Sequence, residues 1–439
     1  MLWLYNIGIF LYGLILRLLT PFNSKAKLFI EGRKALFNTL ENQINAGEKH
    51  VWFHFASLGE FEQGRPVLEQ LKTKHPEKKV VVTFFSPSGY EVRKNYPLAD
   101  GIFYLPLDTR NNALRFIKAI NPELAIFTKY EFWHHYYQIL HENNVPLLLI
   151  SGIFRPSQVF FKSYGGFYRN ILKNVSQFFV QNEESARLLA EIGINSVRIA
   201  GDTRFDRVYE NAEKNAGVPF IKEFCGSSPV FIGGSTWPED EQLIATLANK
   251  HKDWKFILAP HEVHAAHLAQ MKTLFPESIR YSDLKAAQKQ TLLSQTSVNQ
   301  IDSVTPLLQT QVLIMDNIGL LSNLYTHGDI AYIGGGFGAG IHNTLEAAAF
   351  GKPILFGPKY EKFQEAKDLI KLGAAISISD SEGLNAGFLQ FQNAIAGSLT
   401  TKTAGTLAKE YVQQHQGATE IIGKEIELVF RNNGLGLIP

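Results

Sequence analysis

Three short stretches carry residue types whose spacing could support chemistry. In Ala56-Ser57-Leu58-Gly59-Glu60 a carboxylate follows the apolar run Val51–Phe55 and precedes a helical pattern from Phe61. A glutamate at such a turn can take a proton from an attacking hydroxyl, and it can equally complement the positive end of the helix it opens. In Thr128-Lys129-Tyr130-Glu131-Phe132-Trp133 a charged pair is embedded in aromatics. That setting suits acid–base or charge-stabilising work, and it also suits an ordinary half-buried ion pair between Lys129 and Glu131. The third stretch, Gly334 to Gly340, leads into Asn343-Thr344-Leu345-Glu346. Glycines let backbone N–H groups approach a phosphate at a helix start, although a tight turn uses the same residues. With no Gly-Lys-Ser/Thr the stretch is not a P-loop. Asn343 and Glu346 have capping-box spacing, so Glu346 is either a ligand contact or a helix-start residue. Two histidine groups, His134-His135 and His261, His264 and His267, raise a metal reading. Adjacent histidines point apart on a helix, and no clustered acid completes the second group, so no metal and no other cofactor is expected.

Each of these stretches must be positioned by the elements before it. Val51–Phe55, Val80–Phe84, Ile102–Leu105, Leu124–Phe127, Leu147–Ile150 and Phe178–Val180 read as strands, each followed by an amphipathic or polar stretch. The rhythm restarts with Val230–Ile232, Phe256–Ala259, Val312–Met315, Ile330–Ile333, Pro353–Phe356 and Ala375–Ile378. Alternation of this kind predicts an α/β protein with two doubly wound, Rossmann-like domains, and ligands bind such sheets beyond the carboxyl ends of the strands. The domains are expected over residues 22–204 and 219–439, with a polar hinge over 205–218 and a C-terminal tail that could pack back on the first domain. Gln288 to Ser303 reads as a surface loop.

Composition agrees with two domains, because 439 residues exceed the roughly 250–300 at which single cores stop growing. Forty-three Lys+Arg against 41 Asp+Glu leave a net charge of +2, no field for a polyanion, and no nucleic-acid partner is expected. One cysteine, Cys225, excludes an internal disulfide framework. Residues 1–21 depart from the average. Leu2 to Thr20 carries only Arg17, Pro21 follows, and then come Lys25, Lys27, Arg33 and Lys34. This predicts a membrane-anchoring helix, spanning or lying in the interface, with the basic flank and both domains on the cytoplasmic side. Phe160, Phe161, Lys162, Tyr164 and Tyr168 form a candidate second attachment patch.

The chain resembles the 3-deoxy-D-manno-octulosonic acid (Kdo) transferases of lipid A and lipopolysaccharide assembly. The resemblance lies in His54 through Glu60, Tyr130 through Trp133, Gln181 through Glu184, Gly201 through Asp206, Ser235-Thr236, Asp316 through Leu320, and His342 through Ala348 ending in Phe356-Gly357-Pro358. It implies a GT-B fold, two domains facing a cleft, with acceptor bound by the first and CMP-Kdo by the second. It implies metal-independent, inverting transfer of Kdo to a lipid A precursor, with Glu60 as general base and Glu131 and Arg204 as transition-state stabilisers. CMP would contact Pro260, His261, Ile318, Gly319, Leu320, Asn343, Thr344, Leu345 and Glu346. The family usually carries Lys at Arg204, Arg at His261, Pro at Thr344 and an acid at Leu320. Another membrane-associated GT-B enzyme using a UDP-sugar, or a non-catalytic membrane-tethered binding protein, would share parts of the pattern.

Overall fold

The computed structural model describes residues 1–214, 217–293, 309–397 and 403–434. The chain forms two compact units, Met1–Asp206 joined by the segment from His415, and Arg207–Gln414.

The first unit is built on seven parallel strands: β1 (His50–Phe55), β2 (Lys79–Phe84), β3 (Gly101–Tyr104), β4 (Pro122–Thr128), β5 (Leu147–Gly152), β6 (Gln177–Val180) and β7 (Val197–Ile199). Their order is β3-β2-β1-β4-β5-β6-β7, so the winding reverses between β1 and β4. All six residues of β1 are buried. Trp52 belongs to the core on one face of the sheet, with Phe116, Phe127 and Tyr136. Val51, Phe53 and Phe55 belong to the other, with Phe61, Leu68 and Ile126. A strand covered on both faces reads as a continuous apolar run rather than an alternation, which is why the central strands stand out in the sequence. Helix Leu58–Lys74 approaches the sheet closely at Gly64, where a Cβ would sit 2.3 Å from the Phe55 ring.

The second unit repeats the plan with β8 (Val230–Thr236), β9 (Lys255–Pro260), β10 (Ile279–Arg280), β11 (Val312–Ile314), β12 (Ile330–Ile333), β13 (Ile354–Phe356) and β14 (Ala375–Ser377). The order β10-β11-β9-β8-β12-β13-β14 places the reversal between β8 and β12. All twelve expected strands are present. β7 and β10 are additional; they are two or three residues long, carry an exposed arginine each and leave no apolar run to read.

Residues read as a polar hinge begin with a helix, Thr203–Glu213, and the division between the units falls within it. The Asp206 carboxylate accepts the N–H groups of Gly417, at 2.6 Å, and Thr419, at 2.7 Å, and so caps helix Ala418–Gly434. Ala418, Ile422 and Ile426 of that helix are buried in the core of the first unit. The stretch read as a loop from Gln288 starts inside helix Tyr281–Leu293, whose Lys-Ala-Ala-Gln-Lys-Gln run consists of good helix formers; residues 294–303 lie outside the described residues.

Helix Leu2–Leu19 is long and apolar enough to cross a membrane, but it also packs on the first unit. Its partly or fully covered positions, Tyr5, Ile9, Gly13, Leu16 and Thr20, recur at helical spacing and form one stripe. The Tyr5 hydroxyl donates to Asp108 at 2.5 Å, His135 Nε2 bonds Asn6 Oδ1 at 2.7 Å, and Tyr12 stacks on Phe85. Burial and the Asp108 carboxylate raise the Tyr5 phenol far above its ordinary pKa. Trp3, Phe10 and Leu18 face outward, each more than 60% exposed.

Two surface expectations change. Arg33 does not face out with the lysines: its guanidinium lies 3.5 Å from the Phe29 ring and donates to the carbonyls of Leu105, Phe29 and Phe85, and burial pulls its pKa down to about 9. In the proposed second patch Phe160 is a core residue against Phe132, and only Tyr164 among the five is fully exposed. The aromatics there pack the loop after β5.

Candidate active site

Glu60 and Glu131 lie beyond the carboxyl ends of β1 and β4, the neighbouring strands at which the winding reverses. Such a switch point leaves a crevice, because the connections on its two sides depart to opposite faces of the sheet. Glu60 is the third residue of helix Leu58–Lys74, half-buried, and the hydroxyl of the N-cap residue Ser57 donates to its carboxylate. Glu131 follows a turn at Lys129, whose φ of 61° swings the chain back over the strand end. Its Oε2 is bonded by Trp133 Nε1 at 2.8 Å and by His54 Nε2 at 3.0 Å. The residue anticipated as partner by nearness in sequence was Lys129; the histidine 77 positions earlier was not.

Arg204 lies past β7, and its Nε and Nη2 hold Asp202 Oδ2 at 2.9 and 2.8 Å. Asp202 is 5% exposed and also receives Gln63 Nε2 at 3.3 Å to each oxygen. Gln63 lies one turn beyond Glu60, so the Arg204 and Glu60 segments are tied through one buried carboxylate. Asp202 and His54 both fall within motifs, but neither was singled out. A histidine inside an otherwise apolar strand was the available signal.

In the second unit a cavity of about 410 Å³ opens at the carboxyl ends of β8, β9 and β12. Pro260, His261, Ile318, Gly319, Leu320, Asn343 and Glu346 all line it. Thr344 and Leu345 do not; both are buried, at 1% and 0% exposure. Asn343 Oδ1 accepts from Leu345 N at 3.1 Å and its amide donates to Glu346 Oε1 at 3.3 Å. This is a side-chain link at capping-box spacing, in front of a helix of only five residues, Leu345–Ala349.

The glycine stretch is spent on packing rather than on the cavity. Gly334, Gly335, Gly338 and Gly340 donate their N–H groups to Gly234 O, Asp240 Oδ2, Gly335 O and Gly335 O, and a Cβ on Gly334 would meet Ser235 O at 2.2 Å. Beside it, Trp237 Nε1 donates to His342 Nε2 at 3.0 Å with the rings 7° from parallel, and His261 stacks over His342 at 4.3 Å and Trp237 at 4.8 Å. Burial and His261 lower the His342 pKa to about 4, which keeps the accepting nitrogen unprotonated. His267 uses both ring nitrogens, on Glu262 O at 2.8 Å and Glu241 Oε2 at 2.9 Å. Burial opposes its charge, but bonds to the Glu241 carboxylate and the Glu262 carbonyl raise its pKa above the ordinary value. Among the described residues no group of three or more His, Cys, Asp or Glu is placed to hold a metal.

Two doubly wound units, with carboxylates at one switch point and a cavity at the other, have the GT-B architecture. The UDP-GlcNAc 2-epimerase of Neisseria meningitidis, bound to UDP-GlcNAc, shares the fold with a TM-score of 0.58 at 16% identity over 88% of this chain and 100% of that one. Residues 31–207 match the family 3-Deoxy-D-manno-octulosonic-acid transferase (kdotransferase). The 3-deoxy-D-manno-octulosonic acid transferase of Rickettsia felis is 28% identical over 347 residues, 76% of this chain and 69% of that protein. The protein of the same name from Chlamydia muridarum is 27% identical over 369 residues, 81% of each. The chain is thus similar to Kdo transferases, in its first unit by the family match and over 76% of its length or more by these two relatives.

Proposed function

We propose that the protein moves Kdo from CMP-Kdo to a lipid A precursor, as a step in building the lipopolysaccharide inner core. The observation that carries the reading is the pair of glutamates at the switch point of the first sheet, within the residues that match the family. Glu60 takes the proton of the acceptor hydroxyl as that oxygen attacks the anomeric carbon of Kdo. A single displacement inverts the configuration, from a β-linked donor to an α-linked product. Glu131 and Arg204 stabilise charge in the transition state, Arg204 at the departing CMP, with Asp202 fixing the plane of its guanidinium. A nucleoside monophosphate leaves with its own charge met by such groups, so the reaction proceeds without a metal. Pro260, His261, Ile318 to Leu320, Asn343 and Glu346 hold the nucleotide; Thr344 and Leu345 support Asn343 and Glu346 from the buried side.

The acceptor is a lipid, and helix Leu2–Leu19 brings the enzyme to it at the cytoplasmic face of the inner membrane. The helix lies in the membrane interface rather than across the bilayer. A spanning helix would have to carry Asn6 and the Asp108 carboxylate of the folded unit into hydrocarbon, where polar and ionisable groups are costly even when bonded. The decisive experiment is incubation with CMP-Kdo and lipid A precursor, followed by mass spectrometry of the lipid. A mass gain of one or more Kdo residues with CMP released is expected. No gain, or thermal stabilisation by UDP but not CMP, would point to a UDP-sugar enzyme; binding without any product would point to a binding protein.

A further inference from the structure

The interior of the first sheet contains a polar chain that the assigned roles do not use. Trp52, His54 and Thr83 are each 0% exposed, on the adjacent strands β1 and β2. Trp52 Nε1 lies 2.8 Å from Thr83 Oγ1, Thr83 Oγ1 lies 2.8 Å from His54 Nδ1, and His54 Nε2 lies 3.0 Å from Glu131 Oε2. Proton bookkeeping fixes the directions. An indole N–H only donates, so Thr83 accepts from Trp52. The single Thr83 proton then goes to His54 Nδ1 at 2.8 Å in preference to the Phe53 carbonyl at 3.4 Å. With Nδ1 accepting, the ring proton of the neutral imidazole is on Nε2, aimed at the carboxylate. This tautomer is assigned from the bonding pattern. Both Glu131 donors, His54 and Trp133, address the same oxygen, Oε2.

We propose that His54 is a positioning residue for Glu131: the Trp52–Thr83 relay locks it as the Nε2–H tautomer, and it holds Oε2 so that Oε1 is presented to the reacting groups. The inference rests on the role given to Glu131 under the proposed function. A polar chain buried in an apolar sheet costs stability unless every member is satisfied, and here the bonds run toward Glu131. A neutral donor also leaves the carboxylate its full negative charge, which a transition-state stabiliser requires.

The test uses the full chain with CMP-Kdo and lipid A precursor in detergent. His54→Leu should lower kcat by up to about 10²-fold with KM for CMP-Kdo nearly unchanged, the size expected when a reacting group is misplaced. His54→Gln, whose amide can still donate to Glu131, should recover most of that loss. Thr83→Val should lower kcat by about tenfold and Thr83→Ser should not. In a Glu131→Gln background neither His54→Leu nor Thr83→Val should have a further effect. Independently of any substitution that fails to fold, ¹⁵N spectra of histidine-labelled protein should give His54 as the Nε2–H tautomer. A ring protonated on Nδ1 alone, a folded His54→Leu with full kcat, or an undiminished His54→Leu effect in the Glu131→Gln background each overturns the positioning role. Full activity in Glu131→Gln alone instead overturns the role assigned to Glu131 itself.

Discussion

At the scale of single residues, Glu60 and Glu346 are both glutamates three positions after a polar residue at a helix start, and the structure gives them different surroundings. Glu60 is tied to the Ser57 hydroxyl at the sheet switch point, whereas Glu346 is tied to the Asn343 amide at the rim of the second unit's cavity. Glu60→Gln keeps shape and removes proton acceptance, so turnover should fall by roughly 10²–10⁴-fold with CMP-Kdo binding and melting temperature nearly unchanged. A helix-terminus charge alone would cost at most about 1 kcal/mol of stability and little turnover. Glu346→Gln should weaken CMP by about 1.5–3 kcal/mol through loss of a charged hydrogen bond, while turnover at saturating donor holds. Calorimetric CMP affinity and saturated turnover, measured on both variants, separate the two roles; full turnover in Glu60→Gln would remove the base. His342 sets a pH limit of its own. Its folded pKa of about 4 lies below the ordinary 6.5, so the unfolded chain takes up a proton that the folded chain refuses between those values. The resulting stability is fully present above pH 6.5 and is lost as pH falls toward 4. Discounted for screening at a partly exposed site to about 1 kcal/mol, it amounts to about 2–4 °C. Thermal melts at pH 7 and pH 5 should show a smaller drop for His342→Asn than for the wild type, and equal drops would assign the acid sensitivity elsewhere.

At the scale of elements, the central strands were legible because burial on both faces turns them into unbroken apolar runs, and the helix starts because polar residues punctuate those runs. Partnerships across strands were not legible. Glu131 meets His54 because β1 and β4 are neighbours in the sheet, and the order of strands is not written in the spacing of motifs. Arg33 looked like part of a basic flank because a guanidinium buried on aromatic faces and backbone carbonyls leaves no signature in its neighbours. The glycines after β12 read as a phosphate cradle because tight packing and ligand approach call for the same residue. The first helix was legible as apolar, and its orientation follows only from the stripe that begins at Tyr5. Since truncation would strip Asp108 of its phenol partner, cysteine labelling is the cleaner probe. With the buried Cys225 as background, Leu2→Cys and Leu19→Cys should react with a membrane-impermeant thiol reagent from the same side of sealed vesicles. Reaction from opposite sides would establish a spanning helix.

At the scale of the molecule, two sheets share one plan, and the proposed function assigns acceptor chemistry to the β1/β4 switch and nucleotide binding to the β8/β12 switch. Because the proposed donor carries one phosphate and the proposed cation is Arg204, activity should survive EDTA. Abolition by the chelator with recovery on adding magnesium would displace Arg204 from its role. The discontinuity of the first unit has a bearing on synthesis. Its core is completed by Ala418, Ile422 and Ile426, more than two hundred residues after β7. On the ribosome, the first unit's strands therefore emerge long before the helix that covers one of their faces, while the second unit is contiguous and can close as soon as it is made. Helix Leu2–Leu19 precedes both sheets in the chain, so under the proposed membrane attachment the nascent chain can meet the membrane before either sheet exists, and the first unit matures last.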